Sequence, residues 1–267
     1  MKFEAAGHSD VGTTKPSNQD SYCIKIADTD MGQVALIAVA DGMGGLQKGE
    51  LASSTVIKRL SSWFEDELPL SLEIMESSIS GLESYFSGQW MGLIQELNLK
   101  IMHYGRNQGM NLGTTLTAFV TIGGRYSVVH VGDSRVYEIT KDAKVNQLTE
   151  DQTFVHREVK AGRMKPEEAL IHPKRNVLLQ CIGSSKTVEP QIIHGNLKRD
   201  ACYLLCSDGF RHNLKDKDIS SLLQCCGTAG FEKEAALKLK LLTEKVKNTG
   251  EQDNITAAVL HVKGGER

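Results

Sequence analysis

Tryptophan occurs twice and proline five times in 267 residues, and aromatic side chains make up only 6%. The longest apolar run, Val34–Ala40, falls far short of the roughly 20 residues that cross a bilayer, so no membrane partner is expected. Charge of one sign is missing too: 31 Lys+Arg against 33 Asp+Glu leave a net −2. A nucleic-acid binder normally carries a basic excess, so no nucleic-acid partner is expected either. Six cysteines (Cys23, Cys181, Cys202, Cys206, Cys225 and Cys226) form no C-x-x-C pair, which excludes zinc ribbons and thioredoxin-type motifs. Several have apolar neighbours, as in Cys202-Tyr-Leu-Leu-Cys206, and they read as reduced structural residues. No basic-then-apolar secretory segment follows Met1. A soluble cytoplasmic protein is the expectation, and the sequon Asn254-Ile255-Thr256 is set aside.

What is present is an ordinary globular composition, 40% hydrophobic and 24% charged, at a length that fits one large domain spanning residues 1–267. Short β-branched runs at Val34–Ala40, Leu116–Thr121, Tyr126–Val131, Tyr203–Cys206 and Ala257–Val262 predict strands. Gly123-Gly124 predicts a hairpin turn. Helical spacing links Val56, Leu60, Trp63 and Phe64, then Ile94, Leu97, Ile101 and Tyr104, then Ala235, Leu239, Leu242 and Val246. Adjoining hairpins imply an α+β fold of sheet packed on sheet with helices outside. Residues 66–90 read as a helix or loop excursion, and 151–170 as a polar surface insertion.

Three apolar strands end in an aspartate beside glycine: Asp41-Gly42, Gly132-Asp133 and Asp208-Gly209. Polar clusters Asn18-Gln-Asp20 and Asp253-Asn254 lie near the two ends of the chain. A lone Asp-Gly is normally a turn. Repetition at strand ends is different, because a rigid sheet there aims side chains at one place. Gathered carboxylates repel unless a cation neutralises them, and oxygen ligands select Mg²⁺ or Mn²⁺. Two such ions suit phosphate-ester hydrolysis. Competing signatures fail: Gln47 replaces the third glycine of a dinucleotide fingerprint, Glu50 the lysine of a P-loop, and no G-x-S-x-G occurs.

The ordered series is specific. It comprises Lys15-Pro-Ser-Asn18-Gln-Asp20, Asp41-Gly42-Met-Gly44-Gly45, Gly113-Thr-Thr115 and Gly132-Asp133-Ser-Arg135, then His172-Pro-Lys-Arg-Asn176, Ser207-Asp208-Gly209 and Asp253-Asn254-Ile-Thr256. From Gly12 to Thr256 it resembles the metal-dependent Ser/Thr protein phosphatases of type 2C, bacterial branch. The resemblance implies a four-layer sandwich of two antiparallel sheets flanked by helices. It also implies two Mn²⁺ or Mg²⁺ ions with room for a third. Asp41 would bridge two ions, with the Gly42 carbonyl, Asp208 and Asp253 as further ligands and Asp20 acting through water. Asp133 would help hold the third. Attack on phosphorus would be in line, by a hydroxide bridging the ions, without a phosphoenzyme. The implied partners are phosphoserine and phosphothreonine proteins of a cognate kinase, with the chain a monomer.

Some positions depart from that pattern. Lys15 stands where an arginine normally forks onto the substrate phosphate, so weaker phosphate binding is expected. Met43 replaces a histidine proposed as general acid in eukaryotic relatives, and Gln152 replaces another histidine. Gly44, Gly45 and Gly113 read as tight backbone positions, Arg135 and Arg175 as packing charges, and Asn254 as an orienting residue. The insertion at 151–170 would be the flap beside the cleft. The alternative to an enzyme is a pseudophosphatase binding module, which Lys15 favours and the intact aspartates oppose.

Overall fold

The computed structural model describes residues 1–44, 48–75, 81–227 and 230–264. Gly45, expected to be a tight position, lies outside them. Eleven strands are described: β1 (Lys2–Asp10), β2 (Asp20–Thr29), β3 (Gly32–Gly44), β4 (Leu112–Thr114), β5 (Leu116–Ile122), β6 (Arg125–Val131), β7 (Arg135–Ile139), β8 (Val145–Gln147), β9 (Gln191–Asn196), β10 (Cys202–Cys206) and β11 (Ile255–Lys263). One antiparallel sheet runs β1-β11-β10-β7-β8 and the other β2-β3-β5-β6-β9, with β4 paired to β3.

The Val34–Ala40 run is continuous because both faces of β3 are covered. Ala35, Ile37 and Val39 pack between the sheets with Phe119, Tyr203 and Leu260. Val34, Leu36, Ala38 and Ala40 alternate to the other face, under α1 (Gly49–Ser62) and α3 (Leu82–Asn107). The second sheet turns its outer face to α8 (Phe231–Asn248), through Ala235, Leu239, Leu242 and Val246. Helix, sheet, sheet and helix give the four layers expected. Each large apolar side chain so buried stabilises the fold by roughly 1.5–3 kcal/mol.

One residue of the expected helix faces lies elsewhere. Tyr104 lies on the exposed side of α3, while Ile101 and Gly105 in the same turn take the buried side. Of the two alternatives read for the segment after α1, the structure takes the helical one, through a wide turn at Trp63–Glu67 and α2 (Leu68–Met75). Trp63 is held there edge-on to Phe86 and tilted against Trp90. The 151–170 insertion carries α4 (Phe154–Lys160) and α5 (Pro166–Ile171). Among the described residues no helix is long and apolar enough to cross a membrane.

Candidate metal centre and its cleft

Strand register brings the singled-out aspartates to one end of the sandwich. Asp20 opens β2 and pairs directly with Asp41 on β3. Asp41 continues the Ala35, Ile37, Val39 parity, so its side chain leaves the inter-sheet layer at its mouth. Asp133 lies in the crossover from β6 to β7, hence between the sheets. Asp208 follows β10 at the start of α6 (Asp208–Arg211), and Asp253 precedes β11. Cys206 pairs with both Ala257 and Arg135, and Asp10 with Ile255, which fixes all these ends together.

The backbone around Asp41 is clamped. Its N–H donates to Thr115 Oγ1 at 2.9 Å, and its carbonyl accepts from Thr115 N–H at 2.9 Å and Thr114 Oγ1 at 3.0 Å. Gly42 must be glycine: a Cβ there would stand 2.3 Å from the Gly49 carbonyl oxygen and 2.5 Å from that of Gln19. Gly12, at φ +78°, leaves no room either, since its Cβ would meet the Asp253 carbonyl oxygen at 2.2 Å. Gly113 is tight against Cys181 and Ile182, as expected. Asn254 orients the loop carrying Lys15: its Nδ2 donates to the Val11 and Ser17 carbonyls, and its Oδ1 accepts from Gln19 N–H.

Electrically the site is in deficit. Both carboxylate oxygens of Asp20 and Oδ1 of Asp208 are buried without a hydrogen-bond partner. Burial, opposed by the nearby Thr256 and Ser207 hydroxyls and reinforced by Asp208 and Asp253, pushes the Asp20 carboxyl up to about 7. Loss of solvent, then repulsion from Asp20, Asp208, Asp133 and Asp253, drives Asp41 well above the ordinary carboxylate range. Asp133 rises through burial and Asp208, with Arg211 pulling the other way. One lysine enters the cluster: Lys15 Nζ lies 2.8 Å from Asp253 Oδ1, and the pull of Asp253, Asp41 and Asp208 outweighs burial to keep it charged.

Among the described residues no three His, Cys, Asp or Glu side chains close into a ready-made single-ion shell. The acids act on one another across a shared space. Unpaired buried oxygens of that kind fit hard divalent cations that keep several waters, and not zinc.

Other residues hold this arrangement, and of these sequence reading missed Asp151, Arg211, His212 and Glu251. Arg135 forks onto Asp151 through two 2.7 Å bonds, and Arg211 donates to the Asp133 carbonyl at 3.1 Å and to Asp151 at 3.3 Å. Burial would raise Asp151, but the two arginines hold it below its usual value. Glu251 Oε1 accepts the N–H groups of Gln252 and Asp253, while Oε2 bonds His212 Nδ1 at 3.2 Å. His212 Nε2 is 3.9 Å from Asp208 Oδ2 one helical turn away, an i,i+4 spacing visible in the sequence. Gln152 pairs in both directions with Gly132, steadying the Asp133 turn. Arg135 is the packing charge expected, but Arg175 is exposed, because it sits on the outer turn after α5 where no acid meets it.

A cleft of about 1200 Å³ opens over these groups. Lys15 and Gly250–Asp253 form one wall, Asp133, Arg211 and His212 lie in its floor, and the 151–176 segment with Arg175 forms the other wall. Leu170 and Ile171 in that wall are 76% and 82% exposed.

Comparison with known proteins agrees with this geometry. The sequence profile of protein phosphatase 2C matches residues 7–242. The chain is 33% identical over 258 residues to the serine/threonine protein phosphatase PstP of Mycobacterium tuberculosis, covering 96% of this chain and 44% of that protein. It thus spans less than half the length of that relative. The solved serine/threonine phosphatase of S. agalactiae superposes with a TM-score of 0.81 at 30% identity, over 98% of this chain and 100% of that one. The PstP catalytic domain in complex with two manganese ions gives 0.75 at 29% identity, over 98% and 99%. Match, architecture and the order of the aspartates agree: the chain belongs to the protein phosphatase 2C family, in its bacterial branch.

Proposed function

We propose that this chain, as one catalytic unit, hydrolyses phosphoserine and phosphothreonine in proteins with the help of Mn²⁺ or Mg²⁺. The observation that carries the reading is the cluster of buried, mutually repelling aspartates in which both Asp20 oxygens and Asp208 Oδ1 lack a close hydrogen-bond partner. Asp41, Asp208 and Asp253, with the Gly42 carbonyl, would hold two ions, Asp20 would act through water, and Asp133 would help hold a third. Such ions supply charge neutralisation at phosphate and acidify water.

The chain's own residues do the rest. Thr114 and Thr115 fix the Asp41 backbone so that its carboxylate cannot retreat. Glu251 and Asn254 set the Asp253 turn. Lys15 would bind substrate phosphate, giving up its contact with Asp253 to do so. It offers a point charge where arginine offers two parallel donors, which predicts loose phosphate binding. Met43 carries no proton, so the leaving serine or threonine oxygen takes its proton from water. The exposed Leu170, Ile171 and Arg175 form a wall suited to a peptide around the phosphorylated residue. Its natural substrates would then be the products of a cognate protein kinase.

The test is hydrolysis of a phosphothreonine peptide and a small aryl phosphate with Mn²⁺, Mg²⁺ or chelator. Turnover that requires the ion supports the reading. Metal binding without turnover on either substrate overturns it in favour of a binding module.

A further inference from the structure

At the far end of β10 from Asp208, a second chemical cluster sits on the sheet face covered by α8. Cys202 on β10 stands directly opposite His261 on β11, and His261 directly opposite Glu4 on β1, a single row across three strands. The segment after α7 (Asp216–Ser220) brings Cys226 down onto this row. Its Sγ lies 3.2 Å from Cys202 Sγ and also contacts His261, whose Nδ1 is 3.2 Å from Glu4 Oε2. Phe231 stacks on the imidazole at 5.1 Å and fixes its plane. Cys202 is fully buried, whereas Cys226 is partly exposed and precedes Gly227, beside which a Cβ would meet nothing. One sulfur is thus reachable and the other waits behind it.

We propose that Cys202 and Cys226 form a reversible disulfide on exposure to peroxide, making this row an oxidation site separate from the cleft. The contact with Cys202, and then His261, pulls the Cys226 thiol below its ordinary range. Cys226 and Glu4 in turn outweigh burial and raise the His261 imidazole above its ordinary value. The Cys226 thiolate attacks one peroxide oxygen, the O–O bond breaks, and the sulfur becomes a sulfenic acid. The departing hydroxide takes the His261 proton and leaves as water. The Cys202 sulfur then attacks Cys226, the S–S bond forms as the S–O bond breaks, and the second hydroxide leaves as water with the Cys202 proton. Two thiols give up two electrons, and one peroxide becomes two waters. A dithiol reductant reverses the exchange. The bond would tie the segment after α7 to the strand that carries Asp208 at its other end.

The experiment treats the full chain with a modest excess of hydrogen peroxide, blocks remaining thiols and reads intact and peptide masses. The expected result is loss of two hydrogens, one cross-linked peptide pair containing Cys202, and full reversal by dithiothreitol. Cys226→Ser should abolish the cross-link, while Cys225→Ser should leave it, which separates the adjacent sulfurs. No mass loss in the wild-type chain, oxygen addition to single cysteines, or a cross-link that survives Cys226→Ser would overturn the assignment.

Discussion

Two groups of buried acids lie close together in this molecule and are treated in opposite ways. Asp151 is forked by Arg135 and touched by Arg211. Glu138, farther along β7, receives Lys198 Nζ at 2.6 Å, Tyr203 OH at 3.2 Å and Asn146 at 3.2 Å. Each has every counter-charge the fold can give it. Asp20 and Asp208 keep bare oxygens, and Asp41 faces four other aspartates. Burying an unpaired charge is costly, so a sequence that can supply arginines next door and withholds them here has left the place to something else. The partnered acids hold the fold together, and the unpartnered ones await ions.

Substitutions should separate the two groups sharply. Asp41→Asn or Asp208→Asn should lower turnover on the order of 10³-fold or more, since the charge that holds the ions is lost. The same change should leave the melting temperature of the chelated protein level or raise it, because repulsion is relieved. Asp151→Asn should do the reverse, costing about 3 kcal/mol in denaturant unfolding by removing the buried carboxylate that Arg135 and Arg211 share. An equal loss of stability in all three variants would erase the distinction.

A smaller effect is expected from pH alone. The Asp20 carboxyl, at about 7 folded against 3.8 in an unperturbed chain, binds more protons folded than unfolded between those values. Asp133 and Asp41 share that sign. Their contribution to stability is therefore present at low pH and lost as pH rises through 7. His130, pulled down to about 4 by burial, opposes it below pH 6.5, as do His8 and His194, also lowered by burial, while His212 and His261, raised, add to it. In chelator, the melting temperature should rise as pH falls from about 8 to 5.5; with Mn²⁺ the trend should flatten or invert.

Finer still are the cleft walls. Lys15→Arg should lower KM for a phosphopeptide a few-fold with kcat little changed, read in steady-state kinetics. Arg175→Ala should weaken phosphopeptide turnover about two- to five-fold and leave aryl phosphate untouched, as an exposed charge warrants.

Much of this was legible in the sequence where one cause dominates. The Val34–Ala40 run announces a strand covered on both faces, and aspartates ending such runs announce a site. Other features depend on partners far along the chain. β1 and β2 escaped notice because Lys2–Asp10 and Asp20–Thr29 mix Gly, Ala and charged residues; pairing with β11 and β3 makes them strands. Arg175 looked like Arg135 in one dimension, but only Arg135 meets an acid in three. The Asp151 pairs join residues 16 and 60 positions apart, a separation no local pattern reveals.

The central claim is that the unpartnered acids are a cation site holding protons in the cation's absence. Calorimetric titration of chelated protein with Mn²⁺, repeated in buffers of different ionisation enthalpy, tests it directly. Two or more ions should bind, with proton release that is larger near pH 6 than near pH 8. Absence of binding, or binding at pH 6 that releases no protons, would contradict it.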